Sequence, residues 1–255
     1  MHRSMLGVSR ACGACGLIHS EPSVDTDALY DAGYFAANYA PLEAAQRERA
    51  REHLALLRTF TAGHTLLDYG CGTGIFLEAA RTAGFTRAIG VDVSAAAREA
   101  ATARLGSGAE LHATGDDVAG GWRADVIAFV DSLAHVAAAG DRLAALVRER
   151  LAPGGLVFVR TPNVTRRQRA YMRLLARVVP ERGGDRLYGL PKRYLLFDET
   201  SLPAFLAGAG LEVVHLATER EYAPSAGAHL LYDTIPRRLS PDGSLVAVAR
   251  AVRAS

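Results

Sequence analysis

The residue types able to do chemistry gather in one short run, Leu66-Leu67-Asp68-Tyr69-Gly70-Cys71-Gly72-Thr73-Gly74. A carboxylate precedes three alternating glycines, which let a backbone turn sharply and approach a ligand with no Cβ in the way. The spacing narrows the ligand. A dinucleotide fold uses G-x-G-x-x-G and seats a pyrophosphate on the helix that follows. Here the third glycine falls one place early, an arrangement that suits a nucleoside carrying no phosphate. Further carboxylates follow at intervals, as Asp92, the pair Asp116 and Asp117, and Asp131, with His135 close behind the last. Imidazole titrates near neutral pH, so His135 is a candidate general base for a hydroxyl nucleophile.

These residues need a frame, and the hydrophobic pattern supplies one. Apolar runs at 65–69, 87–91, 109–113, 124–130 and 156–160 read as strands, and the stretches between them carry helical periodicity. Ser94 is placed to cap the helix ending near Gly106, and a helix from about His135 to Leu151 is expected to stop at Pro153-Gly154-Gly155. A helix over 41–58 precedes the first strand. A helix at 200–209 and strands at 211–216 and 244–250 close the chain. Strands that are apolar throughout, alternating with helices, predict a doubly wound, mostly parallel α/β sheet covered on both faces. In such sheets ligands bind beyond the carboxyl ends of the strands, which is where the glycines and carboxylates fall. Residues 1–40 show no sustained period and are expected to be an irregular cap. The Arg-rich amphipathic stretch 165–179 belongs to an insertion at 164–199 inside a domain running 41–255.

Taken together, Asp68 to Gly74, Gly90-Val91-Asp92-Val93-Ser94, Gly115-Asp116-Asp117, Phe129 to Val136, Leu151-Ala152-Pro153-Gly154-Gly155 and the segment 194–214 resemble the class I S-adenosylmethionine-dependent methyltransferases of the bacterial small-molecule type. The resemblance covers roughly residues 30–250. It implies a Rossmann-like seven-stranded sheet with the last strand antiparallel. It also implies S-adenosylmethionine (SAM) as cofactor and S-adenosylhomocysteine (SAH) as product, with a small-molecule acceptor, most simply through oxygen but also through nitrogen or carbon, in specialised metabolism. By the same resemblance Asp68, Gly70, Gly72 and Gly74 hold the cofactor, and Asp92 holds the ribose, since a carboxylate accepts two hydrogen bonds from a diol. Asp116 and Asp117 reach the adenine and Asp131 the methionyl end, while Tyr34 and Tyr39 roof the site. Two positions depart from the family pattern: Ala134 stands where an acidic residue is usual before His135, and Arg193 replaces a histidine ahead of Phe197. In the family both positions lie toward the acceptor side. Plainer readings stay open beside these: Asp92 as a helix-start charge, Asp116 and Asp117 as solvated turn residues, His135 as a locally bonded helix start. A non-catalytic SAM-binding protein and a nicotinamide oxidoreductase are the competing functions.

Composition sets outer bounds. The 29 basic and 27 acidic residues leave a formal charge of +2, too balanced for a general polyanion binder, so no nucleic-acid partner is expected. No apolar run reaches the roughly 18 residues of a membrane helix, and the N-terminus has no apolar leader core, so a cytoplasmic protein without a membrane partner is expected. Oligomeric state is not legible. Three cysteines cannot build a disulfide framework in a chain this long. Cys12-Gly13-Ala14-Cys15 resembles one knuckle of a zinc ribbon, but four ligands are needed and no second pair exists, so no metal is expected. The motif does not open a helix after a strand, which counts against a redox dithiol.

Overall fold

The computed structural model describes residues 2–4, 7–20, 42–106, 110–115, 120–165, 194–219 and 243–252. Three short strands come first, β1 (His2–Ser4), β2 (Gly7–Ala11) and β3 (Ile18–Ser20), then helix α1 (Glu43–Arg58). The central series is β4 (Thr65–Tyr69), α2 (Ile75–Thr82), β5 (Arg87–Val91), α3 (Ala95–Leu105), β6 (Glu110–His112), β7 (Ala124–Val130), α4 (Ala139–Arg150) and β8 (Leu151–Pro162). It closes with β9 (Leu195–Leu196), α5 (Ser201–Gly208), β10 (Leu211–Glu219) and β11 (Ser244–Ala251).

Seven strands form one sheet in the order β10-β11-β8-β7-β4-β5-β6. Strands β8, β7, β4, β5 and β6 pair in parallel, and β11 runs antiparallel to both of its neighbours. The chain winds outward from β4 to β6, then restarts at β7 on β4's other side, so the topological switch lies between β4 and β7. Alternation along the strands divides the core. Leu66, Val126 and Phe158 pack with Leu54, Leu57, Phe76 and Leu77 of α1 and α2 on one face. Leu67, Ile127 and Val157 pack with Leu143 and Leu146 of α4 and Leu202 and Leu206 of α5 on the other. The doubly wound prediction therefore holds, including the antiparallel last strand. No helix of the described residues is long and apolar enough to cross a membrane.

Three expectations need correction. Residues 1–40 are not irregular throughout: β1, β2 and β3 pair antiparallel, and β3 continues onto β9 to make a second, four-stranded sheet. The strands are only three to five residues long, too short to show a period. The helix expected from His135 starts instead at Ala139. His135 ends a single 3₁₀ turn over Leu133–His135, bracketed by Asp131 and Ala138, both with positive φ, and each breaks helical continuity. Pro153-Gly154-Gly155 does not end that helix, which stops at Arg150. Gly154 turns the backbone at φ +74° inside β8, where the pairing with β7 shifts register. All but the first residue of the helix expected at 165–179 falls outside the described residues.

Candidate active site

The turn after β4 is built by backbone needs. Gly70, Gly72 and Gly74 all take positive φ, at +83°, +51° and +79°. The Gly70 and Cys71 amides both donate to the Val91 carbonyl, at 2.6 and 3.0 Å, so β5 holds the turn down. A Cβ on Gly70 would sit 2.3 Å from the Ser132 Cβ, and one on Gly74 3.0–3.1 Å from Leu105 and Ala101 of α3. The space a side chain would need at these two glycines is taken by the protein itself, so only glycine fits there. Ser132 also donates to the Tyr69 carbonyl, locking the loop after β7 against the end of β4. Arg104 of α3 completes the clamp, its Nε donating to the Thr73 carbonyl at 2.8 Å while its Nη1 pairs with Glu43 of α1 at 2.9 Å.

Around this turn opens a cleft of ≈ 330 Å³. Its floor is Asp68, Gly70, Cys71, Gly72 and Thr73 and its far wall is Val130, Asp131 and Arg160, at the carboxyl ends of β4, β7 and β8. Its roof is one stripe of α1, namely Gln46, Arg49, Ala50 and His53 with Leu42 at the helix's N-cap, together with Ile75 and Phe76 of α2. The three- and four-residue spacing of that stripe puts those side chains on a single helical face.

Two carboxylates serve the turn differently. Asp68 is 1% exposed and its Oδ1 has no hydrogen-bond donor. Burial first, and then the Asp92 charge, push its carboxyl up to about 8. Asp92 is half-buried, with Oδ2 accepting the Gly72 amide at 2.8 Å and Oδ1 the Ser94 amide at 2.9 Å. Burial raises its carboxyl, and those two amides partly offset the rise. Each oxygen accepts one amide and so keeps a second lone pair. Ser94 caps α3, its hydroxyl accepting from the Ala97 amide as the sequence predicts.

Arg49, His53 and Arg160, which line the same cleft as Asp68, belong to a charged network that the sequence does not announce. Glu219, the last residue of β10, accepts from Arg49 at 2.8 Å, while its other oxygen lies 2.5 Å from His53 Nε2. Burial pushes the Glu219 carboxyl up, but the His53 and Arg49 contacts outweigh it and hold it down at about 2. Arg160, 7% exposed, bonds to Asp131, which stands at φ +56° with its amide on the Arg160 carbonyl at 2.8 Å. His53 is 2% exposed and its Nδ1 is buried without a partner. The only trace of this network in the sequence is the helical spacing of Arg49 and His53. Glu219 lies 166 residues beyond His53, and only the antiparallel return of β10 and β11 brings it back.

Of the predicted site residues, Asp68, Gly70, Gly72 and Asp131 meet in the cleft. Asp92 stands one hydrogen bond away through Gly72. Gly74 supports α3, and His135, half-buried on the 3₁₀ turn with its amide on the Ser132 carbonyl at 2.8 Å, is not among the residues that line the cleft. Tyr34, Tyr39, Asp116 and Asp117 lie outside the described residues.

Comparison with known proteins agrees with this architecture. A family described as a methyltransferase domain matches residues 42–216. The chain is 36% identical over 166 residues to the ubiquinone biosynthesis O-methyltransferase of Caulobacter sp. (strain K31), a match covering 61% of this chain and 62% of that protein. The chain thus spans less than two thirds of that relative's length. Among solved structures it resembles the magnesium protoporphyrin IX methyltransferase of Synechocystis with bound SAH (TM-score 0.55, 15% identity, 83% of this chain and 85% of that one). It also resembles an S-adenosylmethionine-dependent methyltransferase of Mesorhizobium loti (TM-score 0.52, 21% identity, 77% and 96%).

Proposed function

The chain belongs to the methyltransferase-domain family, and from that premise we propose that it moves the methyl group of SAM to an oxygen of a small-molecule acceptor. One observation carries the reading: a buried carboxylate with an unpartnered oxygen, Asp68, lies beneath a G-x-G-x-G turn whose middle amide is held by a second carboxylate, Asp92. The donor set fits the cofactor's polar groups. Asp68 Oδ1 lacks a donor, which the ammonium of a methionyl group supplies. Arg49 and Arg160 put guanidinium groups in the same cleft, suited to its carboxylate. The spare lone pairs of Asp92 suit the ribose diol, and the positive-φ turn brings backbone close to the nucleoside. When bound, SAM supplies an electrophilic methyl group on a sulfonium.

The chain's own contribution is placement and exclusion of water. Asp68 and the glycine turn fix one side of the cleft, and the α1 stripe closes it from above. A hydroxyl acceptor must shed its proton as it takes the methyl. The sequence pattern offers His135 for that proton, and the cleft geometry offers His53, whose Nε2 is tied to Glu219. The ubiquinone-pathway relative supports an oxygen acceptor. Incubating the full chain with SAM and a panel of phenols and catechols, and following SAH, tests the proposal. SAH formation dependent on one of these acceptors is the expected result. Tight SAM binding with no SAH against any oxygen, nitrogen or carbon acceptor would make the protein a non-catalytic binder instead.

A further inference from the structure

The Cys12/Cys15 pair takes no part in the cleft, and none of the cleft-lining residues lies in its hairpin. It forms the turn between β2 and β3. The Cys12 amide donates to the Leu17 carbonyl at 2.8 Å and the Gly16 amide to the Cys12 carbonyl at 2.9 Å, with Gly16 at φ +76°. That closure brings the Cys15 and Ala14 amides and the Cys15 thiol close enough to the Cys12 sulfur to lower its pKa. Such amides do for a thiolate what a helix N-terminus does elsewhere. The missing helix, which counts against redox chemistry in the sequence, is thereby replaced. Cys12 is exposed, Cys15 half-buried, and both are free thiols. Both cysteines lie within the single turn that the Gly16-to-Cys12 hydrogen bond closes, and a disulfide there requires their Cα atoms to stand ~4.4–6.8 Å apart. Among the described residues, no group of three or more Cys, His, Asp and Glu side chains is placed to hold a metal ion.

We propose that Cys12 and Cys15 form a reversible thiol–disulfide site, with Cys12 the attacking sulfur and Cys15 the resolving one, open to low-molecular-weight disulfides. The Cys12 thiolate attacks one sulfur of the disulfide, forming a mixed disulfide and releasing one thiolate, which takes up a proton. Cys15 gives up its proton and attacks the Cys12 sulfur, and the second small thiol leaves. The protein dithiol is oxidised by two electrons and the small disulfide is reduced to two thiols. Those amides favour the Cys12 thiolate, holding its ionisation below the ordinary thiol range. Cys71, the third cysteine, is buried, and burial pushes its thiol far up, so it serves as an internal control.

The test uses the full chain in a series of reduced and oxidised glutathione mixtures, followed by alkylation and intact-mass measurement. The expected result is that Cys12 and Cys15 lose their alkylation together as the mixture becomes more oxidising, while Cys71 is labelled only after denaturation. Cys15→Ser should trap a glutathione adduct on Cys12, and Cys12→Ser should form adduct about tenfold more slowly. Two results would each overturn the proposal: both thiols staying reduced in the most oxidising mixture, or a stoichiometric metal in the purified chain that shields them from alkylation. The readout needs neither SAM nor an acceptor, so it stands or falls apart from the methyl-transfer reading.

Discussion

Asp68→Asn should change stability and ligand affinity in opposite directions. The native carboxyl is fully buried, carries no donor on Oδ1 and titrates at about 8, against an ordinary 3.8. Between those values the folded state holds a proton that the unfolded state has released, so folding stability falls as pH rises through the window. At 1.4 kcal/mol per pH unit that loss is on the order of 5 kcal/mol between pH 4 and pH 8, before structural relaxation reduces it. The asparagine variant has no such proton, so its stability should be flat across the window and should equal or exceed wild type at pH 8 in the absence of ligand. A bound ammonium demands the ionised carboxylate. Near pH 7, SAM binding to wild type should therefore release ~0.9 of a proton, from 1/(1 + 10^(7−8)), and the variant should release none from this site. Affinity should drop roughly 10- to 150-fold in the variant, the worth of a charge-assisted hydrogen bond of about 1.5–3 kcal/mol. Denaturant unfolding from pH 5 to 9, with calorimetry of SAM in buffers of different ionisation enthalpy, reads all three quantities. Parallel stability curves for the two proteins, or an affinity unchanged by the substitution, would refute the reasoning.

Other perturbations separate the remaining parts. Asp92→Ala removes the acceptor of the Gly72 and Ser94 amides and should weaken SAM binding at least about tenfold while the far-ultraviolet spectrum stays native; unchanged affinity would remove Asp92 from the site. Gly70→Ala puts a Cβ 2.3 Å from that of Ser132 at φ +83° and should destabilise by about 2–4 kcal/mol; Ser132→Gly added to it should recover the clash but not the φ strain, and no recovery would place the cost elsewhere. His53→Gln and His135→Ala, compared by kcat across pH with an oxygen acceptor, identify the base, which should account for ~10²–10⁴-fold at unchanged SAM affinity; a loss of only a few-fold in both would leave proximity as the main source of acceleration. Glu219, held at about 2, contributes stability that is present above its ordinary 4.5 and lost as pH falls from there toward 2. Melting temperature should fall over that acid range more in wild type than in Glu219→Gln, and equal slopes would contradict the pairing with His53 and Arg49.

What the sequence reveals depends on how local each cause is. Strand β4, the alternation of the glycines and the Ser94 cap are set by residue types within a few positions of one another, and their pattern is readable directly. The stop at Gly154 misleads because proline and glycine mark a bend equally well inside a strand and after a helix. The 3₁₀ turn at Leu133–His135 is hidden because alanine gives no sign of the positive φ at Ala138, and an aspartate such as Asp131 adopts one in only a minority of cases. The role of Gly70 as the socket for Ser132 depends on residues 62 positions apart, as the Arg49–His53–Glu219–Arg160 network depends on β10 returning to the sheet beyond β11. Such contacts come from topology and leave no mark in spacing. The N-terminal strands pair onto β9 for the same reason.

The central claim is that the cleft between β4, β7 and α1 holds SAM through Asp68 and Asp92. The most direct measurement is an isothermal titration of SAM, SAH and NADH into the full wild-type chain and into Asp68→Asn and Asp92→Ala at pH 7. The account predicts one-to-one binding of SAM and SAH to wild type, no heat from NADH, and at least a tenfold loss of affinity in each variant. No binding of SAM or SAH to the folded wild-type chain, or equal affinity in all three proteins, would contradict it.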